Sequence, residues 1–118
     1  MDRKKAEQQG RKGEAWAALY LRLCGWRILA RRVRTPRGEI DLIARRGKTV
    51  AFVEVKWRRD SAALDIALDE FRLSRVAAAA EVTYNRYIRA GDNIRIDAVL
   101  LAPWRWPRHI VNAWQPSR

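Results

Sequence analysis

Residues 38–57 read GEIDLIARRGKTVAFVEVKW. Two aliphatic and β-branched runs, Glu39 to Ala44 and Thr49 to Trp57, flank the turn residues Arg45-Arg46-Gly47-Lys48, so the segment reads as a β-hairpin. Apolar residues flank the acids on both sides (IDLIA, AFVEVK), which marks both strands as buried. Yet Glu39, Asp41, Glu54 and Lys56 sit within that apolar setting. A buried charge without a partner is strongly destabilising, so these four side chains require one.

The period of two decides which of them meet. In the second run Phe52, Glu54 and Lys56 point one way, and Ala51, Val53, Val55 and Trp57 the other. Glu54 and Lys56 then lie about 7 Å apart along one face. Glu39, Asp41 and Ile43 share a face of the first run, and pairing through the turn carries Asp41 towards the Phe52–Glu54 end. Two converging carboxylates repel and raise each other's pKa unless a cation lies between them. A hard divalent cation, Mg²⁺ or Mn²⁺, takes oxygen donors of this kind and leaves room for water and a phosphate. Lys56, one pleat further on, would reach that water or phosphate. The grouping suits metal-assisted phosphodiester hydrolysis. Taken on spacing alone, it also fits buried salt bridges, Glu54 with Lys56 or with an arginine.

Outward from the hairpin the order is α-β-β-β-α-β(-β). Residues 4–24 read as a helix whose apolar stripe is Trp16, Leu19, Tyr20 and Leu23, with Gly25 as its C-cap and Glu14 on a flanking face. Residues 26–34 read as a strand with Trp26, Ile28 and Ala30 on one face, and Thr35-Pro36-Arg37-Gly38 as a turn. Residues 58–68 fit a loop or a short helix. Asp69 reads as the N-cap of a long helix from Glu70 to about Arg89, with Phe71, Val76, Ala79, Ala80, Thr83 and Tyr84 inward. Ile94 to Leu101 reads as a strand, and His109 to Trp114 as a short strand or turn. A strand–helix–strand passage demands a crossover, so the expected sheet is mixed, with a parallel pair beside antiparallel hairpins and helices packed on it. The 118 residues make one domain, with 1–9 expected as a flexible lead and 115–118 as a tail.

The net charge is +12, and it is uneven: residues 1–59 hold 17 basic and six acidic side chains, residues 60–118 eight and seven. Such a field favours a polyanion, nucleic acid first and an anionic membrane second. Arginine outnumbers lysine 20 to 5, which favours bidentate phosphate contacts. One cysteine, Cys24, excludes an intrachain disulfide and cysteine-rich zinc sites, and one histidine, His109, argues against a histidine-based metal site. The basic N-terminal stretch has no apolar segment behind it, and no later stretch is long enough to span a bilayer, so no membrane association and a cytoplasmic location are expected.

The stretches GEAWAALYLRLCGWRILARRVR, GEIDLIARRG and VAFVEVKWR resemble the YraN (UPF0102) family of small bacterial proteins, over about Gly10 to Asn112. The resemblance implies a PD-(D/E)xK nuclease fold, a restriction-endonuclease-like mixed sheet flanked by helices, similar to archaeal Holliday-junction resolvases. It implies Asp41 and Glu54 as metal ligands, Val55 as a backbone carbonyl ligand, Lys56 as the catalytic lysine, and Glu14 near the same metal. Glu39, in the family's GEID, is an accessory residue that would hold the turn or pair with Arg34 or Arg37. Asp97 matches an acid of the late strand and is expected to be structural. Three positions depart from the family pattern: Trp57 where a small residue follows the lysine, Val33 where asparagine is common, and Arg72 where lysine is usual. The implied activity is Mg²⁺- or Mn²⁺-dependent endonucleolytic cleavage of DNA, branched or junction DNA included. The alternative is a nucleic-acid-binding protein of the same fold that does not cut. A homodimer follows from the resolvase analogy.

Arg31, Arg32, Arg34, Arg37, Arg58 and Arg59 flank the acidic strands and are the expected phosphate contacts. No base-reading motif is present, so backbone or shape recognition is expected. Trp104, Trp106 and Trp114 cluster near the C-terminus, where aromatics stack on bases, cover an oligomer contact or close a small core.

Overall fold

The computed structural model describes residues 3–57 and 70–114. The 58–68 segment, the Asp69 cap, Arg58, Arg59 and the 115–118 tail lie outside the described residues. The elements are α1 (Arg3–Leu23), β1 (Arg27–Thr35), β2 (Gly38–Arg46), β3 (Thr49–Trp57), α2 (Glu70–Tyr87), β4 (Asn93–Leu101) and β5 (Arg108–Ile110). They form one five-stranded sheet in sequential order, β1-β2-β3-β4-β5. Only β3 and β4 pair in parallel, in register from Thr49 with Asn93 to Trp57 with Leu101. The mixed sheet, its crossover helix and the element order agree with the sequence reading.

Each helix covers one face. On one side α1 packs on Leu42, Ala44, Ala51, Val53, Val99 and Leu101. On the other, α2 packs on Ile43, Val50, Phe52 and Ile96. The alternation read for β3 holds: Ala51 and Val53, with Val55 and Trp57 packed against them, lie on the α1 side, and Phe52 lies on the α2 side.

The α1 stripe falls elsewhere than expected, and the α2 stripe agrees at Val76, Ala79, Ala80 and Thr83. Among the described side chains of α1 the buried positions are Gly13, Ala17, Ala18 and Leu21, while Leu19 and Leu23 are exposed. Small residues let the helix lie close to the sheet, and this outweighs the larger apolar content of the neighbouring face. Gly13 belongs to the same contact, because a Cβ there would collide with the Trp57 indole. In α2 the buried set is Leu73, Val76, Ala79, Ala80 and Thr83; Phe71 and Tyr84 are exposed, and Leu73 was not anticipated.

Two local devices fix the frame. The Trp26 N–H donates to the Leu21 carbonyl and the Gly25 N–H to the Arg22 carbonyl, a Schellman ending with Gly25 at φ +93°. In β1 the register shifts between Ile28 and Ala30. The bulge sends Ala30 to the α2 side with Val33, so it does not share the face of Trp26 and Ile28.

Candidate metal and phosphate site

The β2–β3 ladder ends at Leu42–Val53. Beyond it Asp41 takes over from the backbone: the Val55 N–H donates to Asp41 Oδ2 at 2.7 Å. Val55 therefore contributes its amide proton to the acidic pair. The neighbouring strand is unusual at the same level. Arg31 pairs with Leu42 and Val33 with Ile40, which leaves Arg32 opposite Asp41. Arg32 has φ +50°, a left-handed conformation uncommon outside glycine, and its Nε donates to Glu14 Oε2 on α1.

Glu54 comes from the adjacent strand and is only 5% exposed. Its carboxyl group faces that of Asp41, close enough for the two to act on each other electrostatically. Burial first, and the Asp41 charge second, push Glu54 up to about 7, against the pull of Arg72 and Lys56. Burial also raises the Asp41 carboxyl, with Glu14 adding to the rise and the Val55 N–H opposing it. Glu54 Oε1 lies 3.1 Å from Arg72 Nη2 and 3.8 Å from Lys56 Nζ, yet makes no hydrogen bond of good geometry.

These groups open into a cavity of about 510 Å³. Asp41, Glu54 and Glu39 line it together with Arg34, Arg72 and Arg75. Gly38 sets the width of the cavity: a Cβ there would stand 2.6 Å from the Arg75 carbonyl oxygen, so only glycine lets β2 meet α2 so closely.

The structure therefore brings Asp41, Glu54 and Lys56 together. Glu14 is close enough to act on Asp41 electrostatically, although its carboxylate is engaged by Arg32. Glu39 pairs with Arg34 at 3.1 Å, one of the two partners anticipated. Arg31 is exposed, and Arg37 turns to Glu81 on α2 at 3.4 Å. Arg75 was missed and Arg72 was noted only as a departure from the family pattern. Their spacing of three on a helix places both on one side, which was the available signal. Asp97 lies apart, fully buried with Arg95 and His109. Burial alone would raise its pKa, but hydrogen bonds from His109, Arg95 and the Asn112 N–H hold it below the ordinary value. It ties β4 to β5.

The donor set bears on the metal expectation. Among the described residues no group of three or more His, Cys, Asp or Glu is arranged to hold a metal ion. Two adjacent carboxyl groups whose charges repel, with an unsatisfied buried oxygen on one of them, nevertheless fit a small divalent cation that completes its shell with water and phosphate.

The profile described as Uncharacterised protein family UPF0102 matches residues 13–101. The chain belongs to the UPF0102 family. A UPF0102 protein of Erythrobacter litoralis is 65% identical over 116 residues, covering 98% of this chain and 100% of the relative. One from Sphingopyxis alaskensis is 60% identical over 116 residues with the same coverage. One from Rhizorhabdus wittichii is 61% identical over 109 residues, 92% of each chain. The UPF0102 match takes in Glu14, the acidic hairpin, α2 and β4, and so includes every wall of the cavity. No helix among the described residues of this UPF0102 chain is long and apolar enough to cross a membrane.

Proposed function

We propose that this protein is a metal-dependent endonuclease that hydrolyses phosphodiester bonds in DNA, branched or junction DNA included. The observation that carries this reading is the Asp41–Glu54 pair. A buried and a half-buried carboxyl group stand side by side in a cavity that Arg34, Arg72 and Arg75 also line, and burial with mutual repulsion raises the pKa of Glu54 to about 7. The resemblance to PD-(D/E)xK nucleases assigns the same two positions.

Asp41 and Glu54 would hold Mg²⁺ or Mn²⁺. Bound there, the ion would acidify a water and offset charge developing on the phosphate. The remaining chemistry belongs to the chain. Arg72 and Arg75 project from one helix and Arg34 from β1, giving planar donors for the non-bridging phosphate oxygens. Lys56, only 8% exposed, places its Nζ beside Glu54, where it orients the attacking water and donates to the oxygen that gains charge. The Val55 N–H holds Asp41 in its rotamer, so the acid needs little reorganisation. The excess positive charge of the first half draws the polyanion to this end of the sheet.

The test is cleavage of branched, flap, linear and single-stranded DNA with Mg²⁺ or Mn²⁺, beside Asp41→Asn and Lys56→Met. Metal-dependent cutting lost in both variants is the expected result. Cutting that persists in both sinks the site assignment. Binding without cutting, indifferent to metal, favours a non-catalytic nucleic-acid binder.

A further inference from the structure

A second cavity, of about 780 Å³, opens on the α1 side of the sheet. Its walls include Trp16, Trp57, Trp104, Trp106, Arg105 and Arg108. Trp104 is 102% exposed and Trp106 78% exposed. Two solvated indoles on the six-residue loop between β4 and β5 are an unusual use of the largest apolar side chain. The loop does not present them passively. Trp104 has φ +63°, a left-handed conformation that a bulky residue rarely adopts. Pro103 and Pro107 bracket the turn, and Pro107 is buried. Backbone strain held by a stiff frame at a ligand-facing position indicates selection for the presented surface over stability.

Its location supplies the occupant. Trp57 pairs with Leu101 in the parallel β3–β4 ladder, so the loop that follows Leu101 emerges at the sheet end where β3 finishes. Lys56 and Trp57 are adjacent residues on opposite faces of that end. One faces the acidic cavity and the other faces the aromatic one. Indole faces interleaved with Arg105 and Arg108, on a chain of net charge +12, match the two features of unpaired nucleic acid: stackable bases and a phosphate backbone. A second copy of this chain would bring the same positive charge to the contact.

We propose that Trp104 and Trp106, with Trp16 behind them, form a base-stacking platform for single-stranded nucleic acid flanking the phosphate that the acidic cavity receives. It rests on the nucleic-acid reading above and specifies an unpaired segment as part of the substrate. Binding is measured by fluorescence anisotropy with labelled oligo(dT), oligo(U) and a blunt DNA duplex, in EDTA, so that cleavage plays no part. Trp104→Ala and Trp106→Ala should each weaken oligonucleotide binding by about tenfold, Trp104→Phe should keep most of it, and duplex affinity should stay nearly unchanged. Alanine variants that bind both oligonucleotides like the wild type overturn the platform. So does a wild-type dimer in sedimentation that the alanine variants dissociate without any change in oligonucleotide binding. Trp-dependent binding in a protein that never cuts keeps the platform and removes the nuclease reading.

Discussion

Asp41 on β2 accepts the Val55 backbone N–H on β3 at 2.7 Å, one step past the last ladder pair. A carboxylate therefore closes the end of a strand pairing while also forming half of the acidic site. The two roles are separable. In Asp41→Asn the side-chain oxygen still accepts from Val55, so the fold should persist while cleavage falls by roughly 100-fold or more. In Asp41→Ala the amide is left without its acceptor, and stability should drop by about 1–3 kcal/mol as well. Thermal unfolding beside a cleavage assay separates the variants; equal stability losses in both would refute the division.

Glu54 makes the metal-free protein sensitive to alkali. Its folded pKa is raised from 4.5 to about 7, so the folded state binds the proton more tightly than the unfolded chain. The stabilisation is complete below pH 4.5 and is lost as pH rises through about 7. Denaturant unfolding in EDTA should show that decline, of the order of 3 kcal/mol. Glu54→Gln should flatten it, and Mn²⁺ at pH 8 should reverse it in the wild type only. A profile unchanged by Glu54→Gln would place the decline elsewhere.

Gly38→Ala should act through α2. The new methyl would meet the Arg75 carbonyl at 2.6 Å, and backbone cannot swing aside as a side chain can. A loss of about 1–3 kcal/mol is expected, together with weaker phosphate-dependent binding as α2 moves. An unchanged melting temperature would show that β2 and α2 tolerate wider spacing.

Asp92 should protect the fold against acid. Arg45 first, through paired hydrogen bonds at 2.6 and 3.0 Å, and the Arg89 N–H second, lower its pKa to about 2. A depressed carboxylate pKa stabilises above the unfolded value of 3.8, and that contribution disappears as pH falls through about 2. Asp92→Asn should lower the melting temperature at pH 7 and reduce the difference between pH 7 and pH 2. An unaltered difference would show that Asp92 is not the acid-sensitive contact.

The acidic triad was legible because it depends on strand parity alone. Once the turn at Gly47-Lys48 is recognised, the positions of Asp41, Glu54 and Lys56 follow from a period of two. Helical faces were less legible. The Ala17–Ala18 contact wins over Leu19 and Leu23 through closeness of approach, which hydrophobicity patterns do not register. The Arg34–Glu39 pair was anticipated, but the fate of Arg32 and Arg37 was hidden for a different reason. Arg32, Arg34 and Arg37 are near neighbours in sequence, yet they choose Glu14, Glu39 and Glu81 on three different elements. Nothing local distinguishes them, because the left-handed turn at Arg32 sends successive side chains in directions that strand parity does not predict.

The sequential strand order has a consequence for assembly of the molecule. Asp41 and Glu54 lie thirteen positions apart within a single hairpin, so the two acids meet early, through short-range chain closure. The cationic wall cannot form so soon. Arg72 and Arg75 arrive with the crossover that brings β4 beside β3, the long-range parallel step. Before that step the nascent chain carries a pair of repelling carboxyl groups with no arginine from α2 to offset them. The long-range pairing of the fold is therefore also the one that completes the cavity.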